Sequence, residues 1–258
     1  MSKRGKMPTA ICLAAACWMM ASGQGGTAHA GVHQAGTAPE HARPYYETRG
    51  DIVWEVPGDD KVLALTFDDG PDPVETPQIL DILQKYDARA TFFAIGSKVQ
   101  KHPEIVKREI AEGHEIANHT FTHRFLSSSS CSPEQIREEI SRTQGTIFNA
   151  TGRIASLFRP PGGIYNSQVL AAARREHVQT VLWSWHQDTR DWTRPGVGRI
   201  VRKVLRNARG GDIVLMHDHV SGTSQTVTAL KIILPELKKQ GYRFVTVSEL
   251  MKRSKPVW

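Results

Sequence analysis

Val62-Leu63-Ala64-Leu65-Thr66-Phe67-Asp68-Asp69-Gly70-Pro71 runs an apolar segment straight into two adjacent carboxylates and a Gly-Pro stop. A short apolar run bounded by turn residues reads as a buried strand over Val62 to Phe67, so Asp68 and Asp69 sit where the strand leaves the core. Carboxylates forced together disfavour each other's ionisation, and a shared proton, a cationic partner or a metal relieves the conflict. The stretch therefore predicts a cation nearby.

Outward from it, short apolar runs alternate with helical patterns. Thr91 to Ile95, Glu115 to Ala117, Leu157 to Arg159, Thr180 to Trp185, Ile213 to Met216 and Phe244 to Val247 are the other strand candidates. Helices are expected over 103–112, 167–176, 197–208 and 223–239. Thr76-Pro77 reads as an N-cap with proline in the first turn, and Ser132-Pro133-Glu134-Gln135 as a capping box. Strands alternating with helices imply a mostly parallel sheet or a (β/α) barrel, in which chemistry collects at the carboxyl ends of strands. His119, His123, Arg159, Asp188, Asp191 and His217 all fall just there.

At 258 residues with 40% hydrophobic and 23% charged composition, the chain can form one substantial α/β domain. Lys3, Arg4 and Lys6 precede an apolar stretch from Ala10 to Ala21, and Ala28-His29-Ala30 offers a cleavage site, so residues 1–30 read as a secretory signal peptide. The stretch is too short to span a bilayer, and no stable membrane insertion is expected after cleavage. Residues 31–50 read as a linker or disordered arm, and the folded domain, 51–253, follows it. Export removes three of 33 basic residues and none of 26 acidic ones, which lowers the net charge from +7 to +4. No basic block with interleaved aromatics marks a nucleic-acid surface. Cys12 and Cys17 leave with the signal and Cys131 remains alone, so an internal disulfide and a cysteine metal cluster are excluded.

His119-Thr120-Phe121-Thr122-His123 spaces two imidazoles so that both can face one ion. Spacing alone is a weak signal in a chain with 11 histidines, but the carboxylate pair adds to it. Two His and one Asp make the three-ligand pattern of catalytic zinc, with positions left open. Phe158-Arg159-Pro160-Pro161-Gly162-Gly163 fixes an arginine at the mouth of a rigid turn, where it can pair with a carboxylate, while the Gly162 N–H can face an oxyanion. His217, with Asp191 as partner, would have a raised pKa and could serve as a general acid.

Taken in order, Thr66 to Pro71, His119 to His123, Arg159-Pro160-Pro161, Asp191-Trp192 and Leu215-Met216-His217 resemble the five motifs of the polysaccharide deacetylases of carbohydrate esterase family four. The resemblance implies a distorted (β/α) barrel with a single catalytic domain and a divalent metal on Asp69, His119 and His123. Zinc is expected first, with cobalt, manganese or nickel as alternatives. It also implies Asp68 as general base held by Arg159, Gly162 as oxyanion donor, and His217, oriented by Asp191, as the acid that protonates the departing amine. Trp192 and Leu215 would wall the acetyl methyl. Relatives often carry a bulky aromatic where Gly162 stands, and Tyr165 is expected to compensate.

The expected reaction is N-deacetylation of N-acetylglucosamine units in peptidoglycan, chitin or a related polymer by an extracellular or cell-wall enzyme. An O-acetyl esterase acting on xylan is the nearest rival. A non-catalytic carbohydrate-binding protein is the alternative from another class, disfavoured because every catalytic and metal position is filled.

Overall fold

The computed structural model describes residues 40–253. The expected signal peptide and residues 31–39 of the expected arm lie outside them. The described strands are β1 (Ile52–Val53), β2 (Val62–Asp68), β3 (Ala90–Ala94), β4 (Glu115–Asn118), β5 (Leu157–Phe158), β6 (Gln179–Val181), β7 (Ile213–His217) and β8 (Arg243–Phe244). The helices are α1 (Arg43–Thr48), α2 (Glu75–Lys85), α3 (Gly96–Lys101), α4 (Pro103–Ala111), α5 (Pro133–Thr151), α6 (Ser167–Arg175), α7 (Val197–Asn207), α8 (Thr226–Lys239) and α9 (Val247–Met251). No helix among the described residues is long and apolar enough to cross a membrane.

The sheet order is β1-β6-β5-β4-β3-β2-β7, with β8 added to the start of β2, and every pairing is parallel. All carboxyl ends therefore open on one rim. No regular ladder among the described residues joins β1 to β7. Irregular chain after β6 closes the ring instead: Ser184 N–H donates to the Ile213 carbonyl at 3.0 Å, Thr189 Oγ1 donates to the Leu215 carbonyl at 2.7 Å, and Asp188 bridges Leu215. This seam is the distortion of the barrel.

Strand β2 is buried along its whole length. Its two-residue period sends Leu63, Leu65 and Phe67 into the large core that packs against the helices, and Val62 and Ala64 into a second core with Phe93, Ala117, Val181 and Ile213. Thr66 and Asp68 continue the second face, so Asp68 caps the barrel interior rather than the helical layer.

Local chemistry shifts several expected boundaries. The Ser132/Gln135 capping box forms as expected. Thr76 is not an N-cap: Asp72 Oδ1 accepts the Val74 and Glu75 N–H groups, and α2 starts at Glu75, two residues before the expected first helical residue Pro77. The Thr76 hydroxyl instead donates to Asp218 at 2.6 Å. Of the expected Thr180 to Trp185 strand only Thr180 and Val181 join a ladder, with Gln179 added before them, and Trp185–Gln187 form a 3-10 turn. Val247, read as strand, begins α9 under a Thr246/Glu249 capping box.

The arm expected at 31–50 is corrected over its last residues, where α1 carries the buried Tyr46. The Tyr46 ring meets Tyr165 edge-on at 5.2 Å, and Tyr165 meets Trp54 at 5.9 Å. A polar, proline-rich segment lacks the apolar period that marks most helices. Tyr46 docks it, together with the Arg43 guanidinium, which pairs with Glu55 at 2.7 Å and lies over the Trp54 ring.

Candidate active site

Asp68 and His217 are register partners at the ends of β2 and β7. Asp68 Oδ1 accepts a hydrogen bond from Arg159 Nη1 at 2.7 Å. Arg159 is fully buried, and its other donors reach Thr66 Oγ1 at 2.9 Å, the Val181 carbonyl at 3.2 Å and the Leu182 carbonyl at 2.8 Å. Its guanidinium also lies 3.9 Å from the centre of the Phe93 ring. Burial lowers the Arg159 pKa and Asp68 acts against that. A charge sealed into a barrel and paired on every side fixes the carboxylate it touches.

Beside Asp68 the backbone turns left-handed at Asp69, with φ 77°, a conformation that aspartate tolerates better than most residues. Lys98 Nζ donates to the Asp69 carbonyl at 2.8 Å and holds this turn. Gly70 follows because the Asp218 carboxylate occupies the space a Cβ would need. Asp218 is itself buried, and desolvation pushes its pKa up to about 7.

Asp69 Oδ1 lies 3.0 Å from His123 Nε2 and 3.4 Å from His119 Nε2. One ligand atom from each of the three residues lies within 4.8 Å of the others. His119 Nδ1 is 2.7 Å from the Arg159 carbonyl, which can accept a proton but not give one, so Nε2 is left with its lone pair. Asp69 Oδ1 is buried without a directed hydrogen bond. Three converging electron-pair donors with no proton aimed at the carboxylate oxygen fit a divalent cation. Burial pushes the Asp69 carboxyl up, but hydrogen bonding and charge from the two imidazoles, when they carry protons, outweigh it and hold the group well below the usual range.

The loop between the histidines is shaped by Glu139 of α5. Its Oε2 accepts the Phe121 and Thr122 N–H groups, both at 2.8 Å, and its Oε1 accepts the Thr122 hydroxyl at 2.7 Å. Those bonds support left-handed turns at Thr120 and His123. Nothing in the local sequence pairs Glu139 with this loop, since 16 residues separate it from His123.

His217 Nδ1 lies 2.6 Å from Asp191 Oδ1, and its backbone N–H donates to Asp191 Oδ2 at 2.8 Å. Thr226 Oγ1 and the Trp192 N–H complete the shell around Asp191. Burial would lower the His217 pKa, but Asp191 overrides it and raises it to about 9, with Asp68 and Asp69 adding to the effect. Asp191 is held ionised in return, its pKa lowered by His217 against burial.

Pro160 and Pro161 have no N–H, and those of Gly163 and Ile164 bond the Pro160 and Pro161 carbonyls. The Gly162 N–H is the turn's remaining donor, on an exposed residue with φ 64°. Leu215 is buried two residues before His217 on the same strand face, while Trp192 is 53% exposed rather than packed as core. Tyr165 departs from expectation. It is buried with Tyr46, Trp54, Leu170 and Leu182, because the left-handed pair Gly162-Gly163 turns the chain back into this cluster. A second group of possible ligand atoms, Glu55, His186 and Asp212, is already internally paired: Arg43 holds Glu55 at 2.7 Å and His186 holds Asp212 at 2.8 Å.

A family model described as polysaccharide deacetylase matches residues 55–181. A peptidoglycan-N-acetylglucosamine deacetylase from Bacillus cereus is 54% identical over 210 residues, covering 81% of this chain and 97% of its own. Among solved structures, a peptidoglycan N-acetylglucosamine deacetylase in complex with a naphthalenyl N-oxidanyl-benzamide aligns with a TM-score of 0.76 at 36% identity, over 81% of this chain and 97% of that one. A family 4 acetyl xylan esterase from Clostridium thermocellum, in complex with a cobalt ion, aligns with a TM-score of 0.69 at 35% identity, over 74% and 91%. With its strand-end motifs assembled on one rim and relatives matched over nearly their whole length, the chain belongs to the polysaccharide deacetylase family, carbohydrate esterase family four.

Proposed function

We propose that the chain is an exported, metal-dependent N-deacetylase acting on N-acetylglucosamine units of peptidoglycan, chitin or a related polysaccharide. The observation that carries this reading is the Asp68/His217 register pair, one member clamped by Arg159 and the other kept charged by Asp191. An amine leaves poorly unless it is protonated, so amide cleavage needs a positioned acid opposite a base. His217 is that acid.

Asp69, His119 and His123 would hold the cation, zinc in the first instance with cobalt, manganese or nickel as alternatives. When bound, it supplies Lewis acidity to the acyl oxygen and the attacking water. Asp68 takes the proton of that water. Arg159 keeps Asp68 in one orientation, and the Gly162 N–H faces the oxyanion that develops at the acetyl carbonyl. His217 then gives its Nε2 proton to the sugar nitrogen, while Asp191 holds Nδ1. Leu215 and Trp192 enclose the methyl and exclude longer acyl groups.

The export signal read at residues 1–30 and the likeness to the Bacillus cereus peptidoglycan enzyme support a cell-wall substrate. The esterase reading draws on the likeness to the acetyl xylan esterase. Acetate release by the zinc-loaded protein from peptidoglycan, N-acetylchitooligosaccharides and acetylxylan separates the two. Turnover on the amide substrates is expected; release from acetylxylan alone would sink the proposal.

A further inference from the structure

We infer that Phe125 is a specificity-determining residue of this site, its ring forming a sugar-stacking wall on the flank where Gly162 has no side chain. The inference rests on the deacetylase reading above and names a residue that no motif marks. A Cβ built on Gly162 would come within 2.7 Å of Phe125 Cε1 and 3.2 Å of Cδ1. The ring therefore fills the volume that a side chain at position 162 would enter. Its centre lies 6.0 Å from that of His123, one of the three metal-binding candidates. Tyr165 cannot serve this flank, being buried beneath α1.

Phe125 is 46% exposed beside the polar site. The exposure does not come from a slack loop. The Phe125 carbonyl accepts the Ser130 hydroxyl at 3.1 Å and the Cys131 thiol at 3.6 Å, and the next carbonyl, of Leu126, accepts Asn166 Nδ2 at 3.2 Å. Leu126 itself is fully buried with Ile136, Ile140 and Phe158. Backbone clamps on both residues and a buried neighbour hold the ring outward, so stacking on it needs little further ordering.

The ligand chemistry follows from the ring. Its face is electron-rich, and the axial C–H groups of a β-linked hexosamine with equatorial substituents present a flat, electron-poor surface to it. Phenylalanine offers no hydrogen bond. The wall therefore selects an extended pyranose face rather than the acetyl group, and acts on polymer binding rather than on the chemical step.

The test uses the zinc-loaded protein and N-acetylchitohexaose, with acetate release as readout. Phe125→Ala and Phe125→Leu should each raise KM by roughly tenfold, the size of one aromatic contact, while kcat and zinc content stay at wild-type values. Phe125→Tyr and Phe125→Trp should keep the wild-type KM, which mere surface cover would not require. An unchanged KM in the Ala variant, or a wild-type KM in the Leu variant, overturns the stacking role. A loss of zinc or of kcat in the Ala variant overturns it too, assigning the ring to His123 support. Absence of acetate release from the wild type on the hexamer and on peptidoglycan would instead remove the deacetylase reading on which the inference depends.

Discussion

Arg159 Nη1 lies 2.7 Å from Asp68 Oδ1, with the guanidinium fully buried and the carboxylate nearly so. Two charges sealed together respond asymmetrically to substitution. Removing the carboxylate strands a buried cation and costs about 3–5 kcal/mol, whereas an amide keeps an oxygen for the guanidinium to bond. Asp68→Asn should therefore fold, keep its metal-binding capacity and lose activity by roughly 10²–10⁴-fold, the scale of a missing general base. Asp68→Ala should melt much earlier and is the poorer probe of catalysis. Metal content, thermal melting and acetate release on both variants check this, and an active Asp68→Asn protein would remove the base assignment.

Asp69→Ala deletes one of three donors and should lose metal binding and activity together. A subtler loss is expected from Glu139→Ala, which touches neither metal nor substrate. Without its carboxylate, the Phe121 and Thr122 N–H groups lose their acceptor and the His119–His123 loop loosens. Zinc affinity should fall about 10- to 100-fold, as it does when supporting partners of metal ligands are removed. Competition with a chelator measures it, and activity should return at saturating zinc. Unaltered zinc affinity would show that the loop holds its shape unaided.

These two cases mark what the chain discloses before folding. Asp68, Asp69, His119, Arg159 and His217 are legible because each ends or follows an apolar run, and parallel strands bring all such ends to one rim. Glu139 and Thr226 are not, since they sit within ordinary helical patterns and reach the site only through tertiary packing. Tyr165 misleads for a related reason. Its nearness in sequence to Gly162 suggests the groove, but two left-handed glycines and the docked α1 decide its place. Phe125 looks like loop filler until the empty side of Gly162 is seen in three dimensions.

The His217/Asp191 pair predicts the alkaline limb of the pH profile. With the His217 pKa raised to about 9, the acid form persists through neutral pH and is lost as pH rises through that value. Replacing Asp191 by Asn removes the chief cause of the rise. The alkaline limb of kcat should then move to lower pH, and the pair's contribution to stability, present below about 6.5 and lost towards 9 in the wild type, should disappear with it. Rate profiles and melts from pH 6 to 10 test both. A limb that stays in place would assign the acid elsewhere.

Tyr46 gives a test of where the domain begins. It is 3% exposed and meets Tyr165 edge-on, so Tyr46→Ala opens a cavity against Tyr165. A loss of about 3 kcal/mol is expected, comparable with other buried aromatic truncations. Denaturant unfolding of wild type and variant measures it. A loss below about 0.5 kcal/mol, the usual range of surface substitutions, would return α1 to the status of an appended arm.

A contribution to the acid limb of stability is expected from a residue far from the chemistry. His114 is buried, its Nδ1 accepts the Ala90 N–H at 3.2 Å, and burial pushes its pKa down to about 4, aided by Arg108 and Arg89 and opposed by Glu112. The folded state thus favours neutral imidazole. Its contribution is complete above the ordinary value near 6.5 and is lost as pH falls towards 4, when the unfolded chain gains a proton that the folded one refuses. The full effect is at most about 3.5 kcal/mol, from a shift of roughly two and a half units. His114→Asn keeps an acceptor for Ala90 but has no proton to take up, so its stability should fall less steeply between pH 6.5 and 4. Parallel slopes for the two proteins in melts across that range would show that His114 does not set the acid limb.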